Sequence, residues 1–177
     1  MHYLKQEEIT KIIDSAPSVR DRIIIRMLTL TGISRKELRE IDVKDIDFRN
    51  SIIMVNGRAI PVDSDTLNDI AVYVGKRGGR LICSQRSKTI SLKEINMIVR
   101  KSARLAGMKS PNPKYKYINP TLLRRSFVAN MSICGMPAEY IQCMVGHKSG
   151  KIMQLIRSPT RAELKRVYDE KVKLLAG

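Results

Sequence analysis

The sequence predicts an α+β fold, mostly helical with a small three-stranded antiparallel sheet, and three observations predict it. Asn56-Gly57 separates Ile52-Ile53-Met54-Val55 from Ala59-Ile60-Pro61-Val62. Asn-Gly between such runs is a strong hairpin signal, because a type I′ turn needs φ above zero at two successive residues. Ser34-Arg-Lys-Glu37 and Ser91-Leu-Lys-Glu94 fit capping boxes, in which the serine oxygen accepts from the glutamate amide and the carboxylate reaches back. Apolar residues recur elsewhere at helical spacing. The 177 residues amount to one domain, and an apolar fraction of 43% supplies a core and argues against disorder.

In chain order, Leu4, Ile9, Ile12, Ile13 and Ala16 predict an amphipathic helix ended by Pro17. Ser18 caps a second helix rich in Ile, Met and Leu, which Gly32 terminates. A short helix follows Ser34 through Leu38, and then the hairpin. Leu67, Ile70, Ala71 and Val74 mark another helix, and Leu81-Ile82-Cys83 reads as the third strand. The box at Ser91 opens a helix through Ile95, Ile98, Val99 and Ala103 to Gly107. A basic, proline-containing loop runs from Met108 to Asn119. Pro120 suits the first turn of a helix carrying Leu123, Phe127 and Met131. Pro137 starts a further helix ending near Gly146, and Ser158-Pro159 caps the last one, through Leu164, Val167, Lys171 and Leu175.

Charge narrows the class of partner. The net charge is +16, which favours a polyanion and says nothing of fold. It is also segregated. Between Glu94 and Glu139 there is no acidic residue, while Arg100, Lys101, Arg104, Lys109, Lys114, Lys116, Arg124 and Arg125 all fall there. The acids gather earlier, among Asp42, Asp45, Asp47, Asp63, Asp65 and Asp69. A surface polarised in this way can press its basic side on phosphates and release counterions. Cys83, Cys134 and Cys143 form no C-x-x-C pair, and His2 and His147 are the only histidines, a poor set for zinc. Reduced thiols fit a cytoplasmic or nucleoid-associated protein. The N-terminus lacks an apolar signal core, and Arg26 closes the run Ile23-Ile24-Ile25; no membrane partner is expected.

At this point the order of motifs resembles the catalytic domain of the tyrosine recombinases, the phage-type integrases. Thr31-Gly-Ile-Ser-Arg-Lys-Glu37-Leu38, then Asp45-Ile46-Asp47 and the hairpin, are similar to its opening. Leu122-Leu-Arg-Arg-Ser-Phe127-Val-Ala129 looks like the box around its second catalytic arginine. Ile141-Gln142 with Met144-Val145-Gly146-His147 looks like the segment ending in its glycine-histidine pair. The resemblance covers nearly the whole of residues 1–177, in order, as a single catalytic domain. It predicts that the N-terminal DNA-clasping domain common in the family is absent.

The resemblance implies a chemistry without metal, nucleotide or other cofactor. A tyrosine oxygen attacks a DNA phosphate, leaving a 3′-phosphotyrosyl bond that is later religated. Side chains then carry the transition-state charge. Arginine forks donate to non-bridging oxygens, while a histidine and a lysine manage protons. Carried over residue by residue, Arg124 matches the second arginine and His147 the late histidine. Tyr168 is the tyrosine available downstream, either as nucleophile or as a packing residue in line with Leu164 and Val172. Arg35 and Arg58 are candidate assistants. Arg125, Lys114, Lys116, Arg100, Lys101, Arg104 and Lys148 are candidate contacts to double-stranded DNA.

Four departures accompany the match. The family's first arginine falls on Ser34, with Arg35 one step late, and one helical residue turns a side chain by about 100°. The hairpin lysine is replaced by Arg58, which hardly donates a proton. The histidine three before Arg124 is Thr121, and the usual tyrosine position after the glycine-histidine pair holds Ile156. Two functions remain, the first of them the leading expectation and the second its alternative. One is site-specific DNA cleavage and rejoining, by a homo-oligomer, a tetramer on DNA with exchanged C-terminal helices. The other is a non-catalytic DNA-binding protein on the same fold that regulates or partners a recombinase. A basic RNA-binding protein fits less well, with Phe48 and Phe127 the only phenylalanines and no tryptophan.

Overall fold

The computed structural model describes residues 2–84, 87–146 and 159–176. Its centre is α2 (Val19–Leu30). Ile23, Ile24, Ile25, Met27, Leu28 and Leu30 are all buried, so this helix is apolar around most of its circumference, as an enclosed helix must be. Packed on it are α1 (Gln6–Asp14), α3 (Arg35–Glu40), α4 (Ser64–Val74), α5 (Leu92–Leu105) and α6 (Pro120–Ile133). The serines predicted to cap α2, α3 and α5 do so. The Ser18 oxygen accepts from the Asp21 amide at 3.1 Å, and Ser34 and Glu37 exchange bonds in both directions. At Ser91 the hydroxyl accepts from the Glu94 amide, but the Glu94 carboxylate accepts from Arg20 at 3.1 Å instead of completing the box.

The sheet is antiparallel in the order β1 (Ile46–Asp47), β2 (Ile52–Val55), β3 (Arg58–Pro61). Val55 pairs with Arg58 across the turn, where Asn56 and Gly57 have φ of 49° and 77°, the two positive values a type I′ turn demands. The third strand corrects the sequence reading. It is Ile46–Asp47, paired on Ile53 and Ile52, and not Leu81-Ile82-Cys83. Just before that segment Arg80 and Asp42 form an isolated bridge, and the Leu81 amide donates to the Ile41 carbonyl at 2.8 Å. Leu81 and Ile82 are both wholly buried, and the chain turns away at once, so no ladder grows there.

Two C-terminal helices complete the frame. α7 (Ala138–Val145) follows Pro137 and ends at Gly146, which adopts φ 66°, ψ 29°. α8 (Arg161–Ala176) packs on β3, α1 and α6 of its own chain. Its start is a capping box between Thr160 and Glu163 that the sequence reading placed at Ser158-Pro159; Ser158 lies outside the described residues. Ion pairs bind α2 to α4. Arg22 donates to both Asp69 oxygens at 2.7 and 2.6 Å, and Arg26 to Asp63 at 2.9 Å. No helix among the described residues is long and apolar enough to cross a membrane.

Candidate active site

Glu37 organises the site. It is the N3 residue of α3, and its Oε2 already accepts from the Ser34 amide at 2.7 Å. The same carboxylate receives Arg58 on Oε1 and Arg124 on Oε2, the latter at 3.2 Å. Its side chain is 14% exposed. Burial alone would raise its pKa, but the bonds from Ser34 and the charges of Arg58 and Arg124 outweigh that and hold it below the usual glutamate range. The carboxylate therefore stays ionised at neutral pH. It aligns two guanidiniums, one from β3 and one from α6.

Both arginines also reach the C-terminal end of α7. Arg58 donates to the carbonyl of Met144, and Arg124 to that of Val145. These last carbonyls lack helical partners and carry the negative end of the helix dipole, so cations belong there. Gly146 makes room for the arrangement. A Cβ at this position would lie 2.6 Å from Arg58 Cζ and 2.7 Å from its Nη1, so Arg58 can rest here only on a bare backbone. The cluster of two guanidiniums and one carboxylate has a net charge of +1. Each arginine uses two of its five N–H donors on these bonds, which leaves donors for an oxyanion.

Tyr168 is elsewhere. It is wholly buried on α8 in line with Leu164 and Val172, and its hydroxyl has no hydrogen-bond partner among the described residues. The Asp63 backbone comes near the oxygen but without bonding geometry. Enclosure, then the charges of Asp63 and Asp169, push the phenol pKa well above 10, with Arg26 opposing. These charged neighbours are a different set from Glu37, Arg58 and Arg124. The structure thus brings Arg58 and Arg124 together and does not bring Tyr168 to them.

Arg35 faces away from the cluster and donates to Asn96 Oδ1 at 2.7 Å. Ser34, at the position of the missing arginine, caps α3, and Thr121 is exposed in the first turn of α6. Arg100, Lys101, Arg104, Lys114, Lys116 and Arg125 are all exposed. Four of them, Arg100, Lys101, Arg104 and Lys116, line a groove of about 900 Å³ with Tyr117, over whose ring the Arg100 guanidinium lies at 3.2 Å. His147 and Lys148 lie outside the described residues.

Residues 2–157 match the model of the phage integrase family. The chain belongs to that family. Among its relatives, the tyrosine recombinase XerA of Pyrococcus furiosus is 30% identical over 180 residues, covering 94% of this chain and 60% of that one. The tyrosine recombinase XerC of Syntrophus aciditrophicus is 25% identical, over 85% and 53% of the two chains. The fold matches a crystal structure of XerA recombinase at a TM-score of 0.74, with 23% identity over 96% of this chain and 65% of that one. It also matches the integrase of mycobacterium phage Brujita at 0.77, with 14% identity over 99% and 62%. The chain spans about three fifths of the length of the XerA relatives it matches.

Within this integrase-family domain, the sequence reading singled out Arg58 and Arg124 but used Glu37 only as a cap. The missing signal was electrostatic: a carboxylate in a half-buried capping box has a free oxygen, and nothing local says which distant cations it collects. In the sequence Gly146 marks only a helix end, and its second task, yielding space to Arg58, is visible only in three dimensions. Asn96 gave no sequence signal at all.

Proposed function

We propose that this chain binds double-stranded DNA and grips a backbone phosphate at the Arg58–Arg124 pair, as a member of the integrase family that does not cleave through Tyr168. The observation that carries this reading is the phenol, sealed in the core without a hydrogen-bond partner among the described residues. A nucleophile must reach the phosphorus with its oxygen in line, and an enclosed phenol held far from ionisation is the opposite of an activated one. The departures at Ser34 and Thr121, and Ile156 at the usual tyrosine position, support the same conclusion. One lost preorganised donor costs about 2.7–4 kcal/mol of barrier, and two such losses leave little turnover. Binding survives because it draws on many phosphates. Regulation or partnering of a complete recombinase is the role such a protein fits.

The alternative, DNA cleavage and rejoining through a 3′-phosphotyrosyl bond, draws support from the 30% identity to a tyrosine recombinase and from Arg124, the matched family arginine, with Arg58 beside it. Related structures include XerH bound to its difH substrate and a lambda integrase tetramer bound to a Holliday junction. On that reading α8 leaves its own chain, enters a neighbour in a homotetramer, and carries Tyr168 to the neighbour's Arg124 and to His147.

A nicked suicide duplex tests the choice by denaturing gel. The expected result is a native gel shift with duplex DNA and no covalent adduct, for wild type and Tyr168→Phe alike. An adduct that vanishes in Tyr168→Phe overturns the proposal in favour of cleavage. Tighter binding to single-stranded RNA than to duplex DNA overturns both.

A further inference from the structure

The one-residue step from Ser34 to Arg35 sends a guanidinium to a different place. On α3, Arg35 and Glu37 are two residues apart, about 200° around the helix. Glu37 faces Arg58 and Arg124, while Arg35 faces α5, where its Nη1 donates to Asn96 Oδ1 at 2.7 Å. There it lines a polar pocket of about 280 Å³ together with Asn96, Asn112, Tyr115, Thr121 and Arg125. α6 divides its arginines the same way. Arg124 and Arg125 are about 100° apart on the helix, and Arg124 serves the Glu37 cluster while Arg125 opens on this second pocket.

The chemistry of the lining selects an anion. Among the described residues it holds two guanidiniums and no carboxylate, whereas Glu37 neutralises half of the charge in the neighbouring cluster. Arg125 is exposed and makes no ion pair among the described residues. Because arginine can only donate, Asn96 must offer Arg35 its oxygen, which leaves two amide protons on Nδ2 for an acceptor. Guanidinium forks and a carboxamide donor are the groups that bind phosphate oxygens.

We propose that Arg35 and Arg125 form a second phosphate subsite, which takes a duplex-backbone phosphate other than the one held by Arg58 and Arg124, with Asn96 as the residue that positions Arg35. This rests on the duplex-binding reading given above. The displaced arginine is then a binding group in its own right and not a substitute for the arginine missing at Ser34.

Salt titrations of duplex affinity test it without knowledge of the target sequence. Each phosphate contact contributes about 0.9 to the slope of log K against log salt. Arg35→Ala and Arg124→Ala are each expected to flatten the slope by about 0.9, and the double variant by about 1.8, as for two separate phosphates. Arg35→Lys keeps the slope. Arg35→Gln, which loses the charge and keeps a donor for Asn96, flattens it as Ala does, and stands in should Arg35→Ala not fold. Asn96→Ala weakens binding about threefold with the slope unchanged, since no charge is lost. A double variant no flatter than Arg124→Ala alone places both arginines on one phosphate and overturns the subsite. An unchanged slope in Arg35→Ala and Arg35→Gln also overturns it, while a flattened slope in Arg124→Ala leaves duplex binding standing. Wild type without duplex affinity ends both readings.

Discussion

Tyr168 is the residue on which function turns, and its setting makes a stability argument possible. A buried hydroxyl without a partner costs about 1–3 kcal/mol, while the ring beneath it fills core volume. The two parts separate by substitution. In urea unfolding, Tyr168→Phe is expected to leave stability unchanged or raise it by about 1 kcal/mol, and Tyr168→Ala to lower it by about 3–5 kcal/mol through the cavity left behind. A Phe variant destabilised as much as the Ala variant would mean that the oxygen has a partner worth keeping. The pH dependence has a definite sign. The native phenol titrates above its ordinary range, so stability is full below the unfolded value near 10 and falls as pH rises past it, where the unfolded chain ionises first. Tyr168→Phe removes that part of the decline. At this scale the sequence was partly legible. Arg124 stood out by its helical box and Arg58 by its hairpin, but i, i+4 spacing with Leu164 and Val172 could not distinguish a packing tyrosine from a nucleophile, and Glu37 carried no mark beyond its cap.

Among the elements, those with strong local chemistry could be placed from sequence, and those defined by distant partners could not. The hairpin needs only Asn56-Gly57, and α3 only its Ser34–Glu37 box. β1 is two residues long, too short to show alternation, and exists because β2 offers it an edge. Leu81-Ile82 has the composition of a strand but is buried without a ladder. Glycine variants compare an element held by its own backbone with one held by a neighbour. Gly57→Ala meets no atom within 4 Å, so its cost is the strained φ alone, about 1 kcal/mol. Gly146→Ala has the same backbone strain at φ 66° but also drives a methyl into the Arg58 guanidinium. We therefore expect Gly57→Ala to lower thermal stability with duplex affinity nearly intact. Gly146→Ala should weaken affinity by displacing Arg58, and by less than Arg58→Ala, because the displaced guanidinium keeps its charge. Equal affinities for the two glycine variants would show that Arg58 needs no place over Gly146.

For the whole molecule, the segregation of charge along the sequence becomes a segregation of tasks. Acids in the first half are used internally: Asp69 on Arg22, Asp63 on Arg26, Glu37 on Arg58 and Arg124, Asp42 on Arg80. The cations of α5, the following loop and Arg125 face solvent instead. Between Glu94 and Glu139 the chain carries eight cations and no acid, half of its net charge of +16. Location and total charge predict different things. If the excess acts only through the overall field, removing any three exposed cations weakens duplex binding equally. If the basic face lies on the backbone, Arg100, Lys101 and Arg104 changed together to Gln should flatten the salt slope by up to about 2.7. Arg161, Arg166 and Lys173 of α8, also exposed and equal in charge, should barely change it. Slopes flattened alike by the two triple variants would leave the protein a diffuse polycation, and α5 with its loop would lose its claim to be the DNA-facing surface.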